Sequence, residues 1–207
     1  MQPINEQVSY GNKFGFAEMY EWANLPKSFL GRLVQFSKDN PEKIELAKTT
    51  KNILGITSIN PGIKSSNPEN WPYTYLFNEY EDLYLKKENI AIGVKKYDSL
   101  NEFSYISTEC QEVFSPIKSN DYNPNVEYIK RSNRREWTSV ILIGKAIVED
   151  NGECEAGKYC TLYQGEDIDK FGTVIPGKDT DKFKLYVLSR LSDKTILVFY
   201  YPQIYNI

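Results

Sequence analysis

The order of apolar and polar residues predicts short β-strands separated by polar turns. The strongest apolar run lies between Trp137 and Gly152. Residues 140–143 and 146–148 are apolar and rich in β-branched side chains, and Gly144 stands between the two groups. The run ends at an Asp-Asn-Gly cluster, which is typical of a strand followed by a turn. Seven apolar positions with one glycine predict a strand that is buried on both faces, at the centre of a sheet.

Weaker signals of the same kind occur along the rest of the chain. The aromatic segment 14–22 is ambiguous between a strand and a short helix, and Pro26 favours an extended segment. Further strands are predicted as a hairpin over 33–46 with a turn at 38–41, a strand at 53–57 that turns at 60–62, a strand-like stretch at 73–85, and a last hairpin of 184–188 with 195–200.

Together these segments predict an all-β fold. Short strands at regular spacing favour a single antiparallel domain, either a sandwich or a jelly-roll-like arrangement. We expect residues 1–13 to form a polar N-terminal arm and residues 14–207 to form the β domain. Residues 86–113 have the least regular pattern, with a weak strand near 91–94, and we expect them to form an irregular insertion.

Composition narrows the function classes. The chain has 207 residues, of which 41% are hydrophobic and 14% aromatic, as in a globular protein. Its net charge of -3 includes no long run of one sign, so we expect no nucleic-acid partner and no binding to anionic membranes. No window has the roughly 18 apolar residues of a membrane span. The polar start MQPINEQ is not a signal peptide, which predicts a protein made in a cytoplasm.

The chain contains no histidine. Its absence excludes Ser-His-Asp and Cys-His catalysis as well as histidine-ligated zinc. Any catalysis must therefore use carboxylates, lysine, tyrosine, serine or cysteine. Glycine-rich phosphate loops are also absent, and we expect no cofactor.

Cys154 and Cys160 have the spacing of half a metal site, but no second pair and no histidine can complete tetrahedral zinc. We therefore expect no metal site. The two remaining interpretations are a disulfide within a hairpin and a pair of packed thiols. Cys110 is predicted to be a single thiol.

The basic run at 130–135, KRSNRR, has two interpretations. It could contact phosphate, or it could form a solvated loop whose arginines pair with Glu127, Glu136 or a neighbouring subunit. A run this short in an acidic chain favours the solvated loop.

Two carboxylates, Glu18 and Glu21, lie three residues apart among aromatic residues in FAEMYEW. On a helical turn they would lie together, whereas on a strand they would face opposite sides. A carboxyl group beside aromatic rings can have its pKa raised by desolvation, which suits a general acid. Charged residues at the edge of an apolar segment show the same feature without any function, and spacing alone favours that interpretation.

Several segments form an ordered set along the chain: AEMYEW at 17–22, ILGITSINPGI at 53–63, Asn123-Pro124, EYIKRSNRREW at 127–137, LIGKAIVEDNGECEAGKYC at 142–160, and YVLSRLSDKTILVFY in the last hairpin. This set resembles the G2 peptidase family. The family is the autoproteolytic intramolecular-chaperone domain at the C-terminus of phage tailspike and neck-appendage proteins. The ordered combination covers most of the chain, and residues 86–113 stand as an addition.

The resemblance implies a β-rich homotrimer that helps three chains to align and is released by self-cleavage on its N-terminal side. It also implies other virion proteins as partners and a location in the virion, after synthesis in the host cytoplasm. The family's chemistry is attributed to a glutamate and an aspartate. The stretch that usually reads D-Y-A-E reads GFAE here, so Glu18 matches the glutamate and Gly15 replaces the aspartate.

The missing aspartate and the short N-terminal segment predict a virion structural or assembly protein that keeps the trimeric β domain and has lost self-cleavage. A glycine cannot exchange a proton, and Glu21 is the one nearby, weaker candidate to replace the missing acid. Only residues 1–13 precede the expected domain, and the chain starts with methionine, which predicts that little is left to cut. The alternative is an active carboxylate endopeptidase that releases itself from a tailspike.

Overall fold

The computed structural model describes residues 14–68, 74–80, 82–97, 103–120 and 122–202. Within these ranges the regular elements are β-strands and two short 3₁₀ turns, at 131–133 and 168–170, and no α-helix occurs. The strands are β1 (Phe14–Glu21), β2 (Leu33–Phe36), β3 (Ile44–Leu46), β4 (Ile53–Ser58), β5 (Pro61–Ser65), β6 (Leu85–Tyr97), β7 (Phe103–Pro116), β8 (Trp137–Glu149), β9 (Tyr159–Leu162), β10 (Val174–Pro176), β11 (Leu185–Ser192) and β12 (Thr195–Tyr200). The all-β prediction is confirmed, and none of the described helical segments is long and apolar enough to cross a membrane.

Strand β8 is the centre of a curled ten-stranded sheet. Its first half pairs with β1 on one edge and β4 on the other, and its second half pairs with β12. The prediction of a central strand is confirmed, but burial on both faces holds only over residues 138–141. From Ile143 onwards exposed residues alternate with buried or half-buried ones, and the side chains of Ile143 and Ile147 are 48% and 45% exposed.

The predicted hairpins are confirmed. β2 pairs antiparallel with β3, β11 pairs antiparallel with β12, and the aromatic segment from Phe14 is extended as β1. The sheet has one parallel pair, β1 with β5. Strand β5 corrects the prediction of a turn at 60–62, because Pro61 is its first residue, a strand position that tolerates proline.

Apolar side chains on the two faces of the sheet form two clusters. The larger cluster contains Ile141 of β8 and Leu33 of β2, together with most of the buried side chains of β9 to β12. The smaller cluster, on the other face, contains Trp22, Val34, Ile44 and Val140. Adjacent residues of β8, Val140 and Ile141, therefore contribute to different clusters, as the alternation of a strand requires.

The chain divides into two compact units, one of residues 1–68 with 129–207 and one of residues 69–128. In the second unit β6 and β7 form a two-stranded antiparallel ribbon that is paired from Leu85–Pro116 to Tyr97–Phe103. The expectation of an irregular insertion at 86–113 is therefore corrected, since this segment consists mainly of two long strands. In the strand-like stretch at 73–85, the described residues before β6 form isolated bridges, between Tyr75 and Lys118 and between Phe77 and Leu83. The predicted arm at 1–13 lies outside the described residues, and the predicted domain of 14–207 stays a prediction.

Candidate functional site

Glu18 lies on β1 between two strands. Its backbone pairs with Val140 of β8 and with Ser65 of β5. Its carboxylate accepts two hydrogen bonds, one from the Tyr20 hydroxyl at 2.9 Å and one from the Ser65 hydroxyl at 3.3 Å. Glu18 is thus a half-buried carboxylate held between two hydroxyl donors.

Tyr20 is fixed by packing as well as by this hydrogen bond. Its ring meets the Phe36 ring edge-to-face, with 5.9 Å between the ring centroids. Burial, and then the hydrogen bond to Glu18, raises the pKa of Tyr20 to about 12. The phenol therefore stays protonated at neutral pH and donates to the Glu18 carboxylate.

Gly15, where the resemblance implies an aspartate, lies where β1 meets the middle of β8. Its φ is +73°, in the left-handed region that side chains disfavour. A Cβ atom at Gly15 would lie 2.8 Å from Ile141 Cγ2 and 2.9 Å from the carbonyl oxygen of Ile143. Gly144 packs from the other side, because a Cβ atom there would lie 2.7 Å from the Gly15 Cα. The two strands thus approach too closely for a side chain at position 15.

Glu21 and Glu18 are on opposite faces of β1, because they are three residues apart on a strand. Glu21 forms an ion pair with Lys43, in the segment just before β3. The structure therefore separates the two candidate carboxylates, and Glu21 is held by a cation of its own. Both assignments as catalytic residues stay predictions.

A groove of about 530 Å³ lies elsewhere on the first unit. It is lined by residues before β2, at the end of β4 and in the second half of β8, including Leu30, Ile59 and Ile147. Neither Glu18 nor Tyr20 lines it, so the groove is separate from the carboxylate site. A self-cleaving site acts on its own backbone and needs no such groove.

A third carboxylate, that of Asp150, belongs to the turn that the sequence predicts after β8. Its side chain is fully buried and accepts hydrogen bonds from the backbone N–H groups of Gly152 and Cys154, each at 3.1 Å. Arg190 of β11 donates to both carboxylate oxygens, at 2.7 and 3.3 Å, and also to the carbonyl oxygen of Cys154. This ion pair attaches the loop after β8 to β11. No local signal could reveal it, because its partners are 40 residues apart.

A second ion pair fixes the start of β2. Arg32 is buried, and its guanidinium lies 2.9 Å from Glu149 Oε2, at the end of β8. It also donates to the carbonyl oxygens of Asp169 and Phe171, at 2.8 and 3.0 Å. These contacts are structural, since they join three segments of one unit.

The other chemical candidates also have structural surroundings. Cys154 and Cys160 are both buried thiols, so the structure has the packed-thiol alternative. The hydrogen bond with Cys154, and then burial, raises the pKa of the Cys160 thiol. The predicted single thiol at Cys110 stays a prediction, because that side chain lies outside the described part of the chain. In the residues that the structure describes, no group of three or more cysteines and carboxylates is placed to hold a metal.

The basic run is part of the first unit's packing. The Arg131 guanidinium lies over the Trp137 ring, 4.2 Å from its centroid, and donates to the carbonyl oxygen of Ser66 at 2.8 Å. Arg134 Nε donates to the carbonyl oxygen of Ile129 at 2.7 Å. These arginines therefore satisfy backbone carbonyls, which accounts for them without a phosphate ligand.

The family model described as "Peptidase_G2, IMC autoproteolytic cleavage domain" matches residues 4–187. The chain belongs to this family, which confirms the resemblance found in the sequence.

The chain is also similar to particular phage proteins. It is 29% identical over 169 residues to the pre-neck appendage protein of Bacillus phage phi29, and 28% identical over 169 residues to the preneck appendage protein of Bacillus phage PZA. Each match covers 81% of this chain but 16% of the relative, so the chain spans about a sixth of the length of these relatives.

Two solved structures share the fold. The pre-mature bacteriophage phi29 gene product 12 matches with a TM-score of 0.61 and 20% identity, over 91% of this chain and 22% of that protein. The C-terminal fragment of the same gene product matches with a TM-score of 0.58 and 20% identity, over 89% of this chain and 98% of the fragment. At this identity the structures establish the fold alone.

Proposed function

We propose that this chain is a structural or assembly component of a phage virion, a trimeric β domain of the neck-appendage type that does not cleave itself. Relatives named as pre-neck appendage proteins support the virion role. The partners are then two further copies of the chain and other virion proteins. The protein is made in the host cytoplasm and ends in the virion, without binding nucleic acid or spanning a membrane.

The observation that carries the absence of cleavage is the set of groups around Glu18. The hydrogen-bond partners of its carboxylate are Tyr20 and Ser65, both neutral hydroxyl groups. Peptide hydrolysis requires one group to activate water and another to protonate the leaving amide, and two carboxyl groups with different pKa values do this well. Here position 15 is a glycine and supplies no second acid. The raised pKa of Tyr20 makes this phenol too weak an acid to take the place of that second acid. Losing one cooperating group slows the reaction on the order of 10²- to 10⁴-fold.

The first prediction is that a fusion of this chain behind a β-helical spike segment stays intact. Intact mass spectrometry over a day after purification should show only the full-length fusion, because none of the described residues gives Glu18 an acidic partner. The matched control is the Glu18→Gln fusion, which should have the same mass profile.

The alternative function, an active domain that releases itself, makes the opposite prediction. A cut near the N-terminal side of β1 in the unmodified fusion, absent in Glu18→Gln, would restore the peptidase and overturn our proposal. A cut that persists in Glu18→Gln would instead point to a contaminating protease.

The second prediction concerns association. Two features support a symmetric homotrimer. The first is the trimeric state that the family resemblance implies, and the second is the exposure of aromatic side chains such as Tyr186 and Phe199. Light scattering on the purified chain should give three times the chain mass of 24.0 kDa. A protein that stays monomeric over the whole accessible concentration range would contradict the trimer.

A further inference from the structure

The β6–β7 ribbon has two open edges. Its strands pair with each other along their whole length, and none of the described residues adds a third strand to either edge. Each open edge presents a row of unpaired backbone N–H and C=O groups. A two-stranded ribbon is marginally stable alone, and a third strand or a packed face is needed to stabilise it. The ribbon therefore has the form of a sheet that another strand completes.

One face of the ribbon also exposes large apolar side chains. Leu85 and Phe114 are 52% and 61% exposed. Leu85 is opposite Pro116, and Lys87 is opposite Phe114, so Leu85 and Phe114 lie on the same face. On the other face Val113 and Ser115 are half-buried. The ribbon thus has a distinct, more exposed face with apolar groups that water disfavours.

The two edges carry opposite charge. Strand β6, with the sequence LKKENIAIGVKKY, has four lysines and one glutamate and a net charge of +3. Strand β7, with the sequence FSYISTECQEVFSP, has two glutamates and no lysine or arginine and a net charge of -2. The ion pair Lys87–Glu112, at 2.7 Å, joins the two strands but is more than half exposed on both sides, so solvent weakens it. An acidic strand therefore complements the open edge of β6.

We infer that β6 of one copy of this chain pairs with β7 of the next copy. Pairing β6 with β6 would oppose lysines, and pairing β7 with β7 would oppose glutamates, so charge selects the unlike pair. An interface between two different surfaces of the same chain repeats from copy to copy, and it forms a ring where the rotation between copies closes, as in the proposed trimer. In that ring the face with Leu85 and Phe114 lies inside, away from water. This inference rests on the homo-oligomer proposed above and assigns the ribbon as one of its contacts.

Hydrogen exchange tests the pairing on the ribbon itself. In a ribbon paired only internally, about half of the strand amides point outward and exchange freely. We expect the whole chain, at a concentration where light scattering gives the oligomer, to protect both the inward and the outward amides of 85–97 and 103–116. Mass spectrometry of peptides from these strands measures the two groups.

Charge reversal supplies the matched variants. The β6 variant Lys86→Glu/Lys87→Glu and the β7 variant Glu109→Lys/Glu112→Lys should each speed exchange of the outward amides at least about tenfold, because each opposes like charges between copies. Combining all four changes restores opposite charge and should restore the protection. Lys158→Glu, at an exposed ion pair outside the ribbon, should leave the exchange unchanged.

The outcomes separate this inference from the proposed trimer. An oligomer that protects only about half of the ribbon amides would overturn the inference and leave the trimer standing. Protection that survives either charge reversal, or that the combined variant fails to restore, would also overturn pairing of β6 with β7. A chain that stays monomeric would contradict both the trimer and the pairing of β6 with β7.

Discussion

Asp150→Asn should lower the free energy of unfolding by about 3 kcal/mol at pH 7, the cost of breaking a buried ion pair. The Asp150 carboxylate is fully buried and is surrounded by donors, namely Arg190 and the backbone N–H groups of Gly152 and Cys154. Asparagine removes the charge and places an N–H₂ donor among groups that also donate. Urea unfolding followed by tryptophan fluorescence measures the change.

The effect of this substitution should depend on pH. Burial raises the pKa of Asp150, but the hydrogen bonds from Arg190, Cys154 and Gly152 outweigh burial and hold it below the ordinary value of 3.8. A carboxyl group whose pKa is lowered by folding stabilises the protein above its unfolded pKa, and this stabilisation is lost as the pH falls through the folded pKa. The difference between wild type and Asp150→Asn should therefore be constant above about pH 5 and decrease below about pH 4.

Glu155→Gln is the control for Asp150→Asn. Glu155 lies in the same loop, but its ion pair with Lys158 is exposed on both sides, and such pairs contribute little to stability. We expect no resolvable change in the urea midpoint. If Asp150→Asn were as mild as this control, the Asp150–Arg190 pair would not stabilise the fold.

Gly15→Asp, which places an aspartate where the family resemblance implies one, should destabilise the fold on the order of 3 kcal/mol and should not start self-cleavage. The cost has two parts, the left-handed φ of +73° and the lack of space for a Cβ atom beside Ile141 and the carbonyl oxygen of Ile143. A carboxylate pressed against carbonyl oxygens is also repelled by them. Urea unfolding of the chain and intact mass of the spike fusion measure the two expectations.

Gly157→Asp separates the two parts of this cost. Gly157 has a similar φ of +81°, but its nearest neighbour would lie 3.9 Å from an added Cβ atom, at the Tyr186 hydroxyl. We expect it to show only the backbone cost, about 1–2 kcal/mol. A Gly15→Asp fusion that cuts itself, with wild-type stability, would show that β1 and β8 separate easily at this point and would contradict our view of the site.

Local sequence patterns predict some strands of this fold and not others. The β8 run, the turn at Asp39-Asn40-Pro41 and the last hairpin were found because their apolar runs and turn residues lie close together in the sequence. Strand β5 was missed because Asn60-Pro61-Gly62 is a local turn signal, and pairing with β1 outweighs it. The β6–β7 ribbon was missed because most of its length shows weak alternation, and its regularity comes from cross-strand pairing.

For the candidate site, comparison of short motifs assigns Glu18 to the family's glutamate and Gly15 to the position of its aspartate, and both assignments stay predictions. The sequence could not supply the surroundings of Glu18. Ser65, one of its donors, is 47 residues away and reaches it only through the pairing of β5 with β1. The contrast between Glu18 and Glu21 also required a strand, since only a strand sends them to opposite faces.

The sequence by itself determined the all-β class, the central position of β8 and the family. Each depends on residue types at short separations, where periodicity and turn chemistry act directly. The tertiary structure alone decided the partly buried pairs Asp150–Arg190 and Arg32–Glu149, whose partners are 40 and 117 residues apart. It also explains why an aspartate does not fit at position 15. The close approach of Gly15 and Gly144 that excludes a side chain exists only when β1 lies against β8.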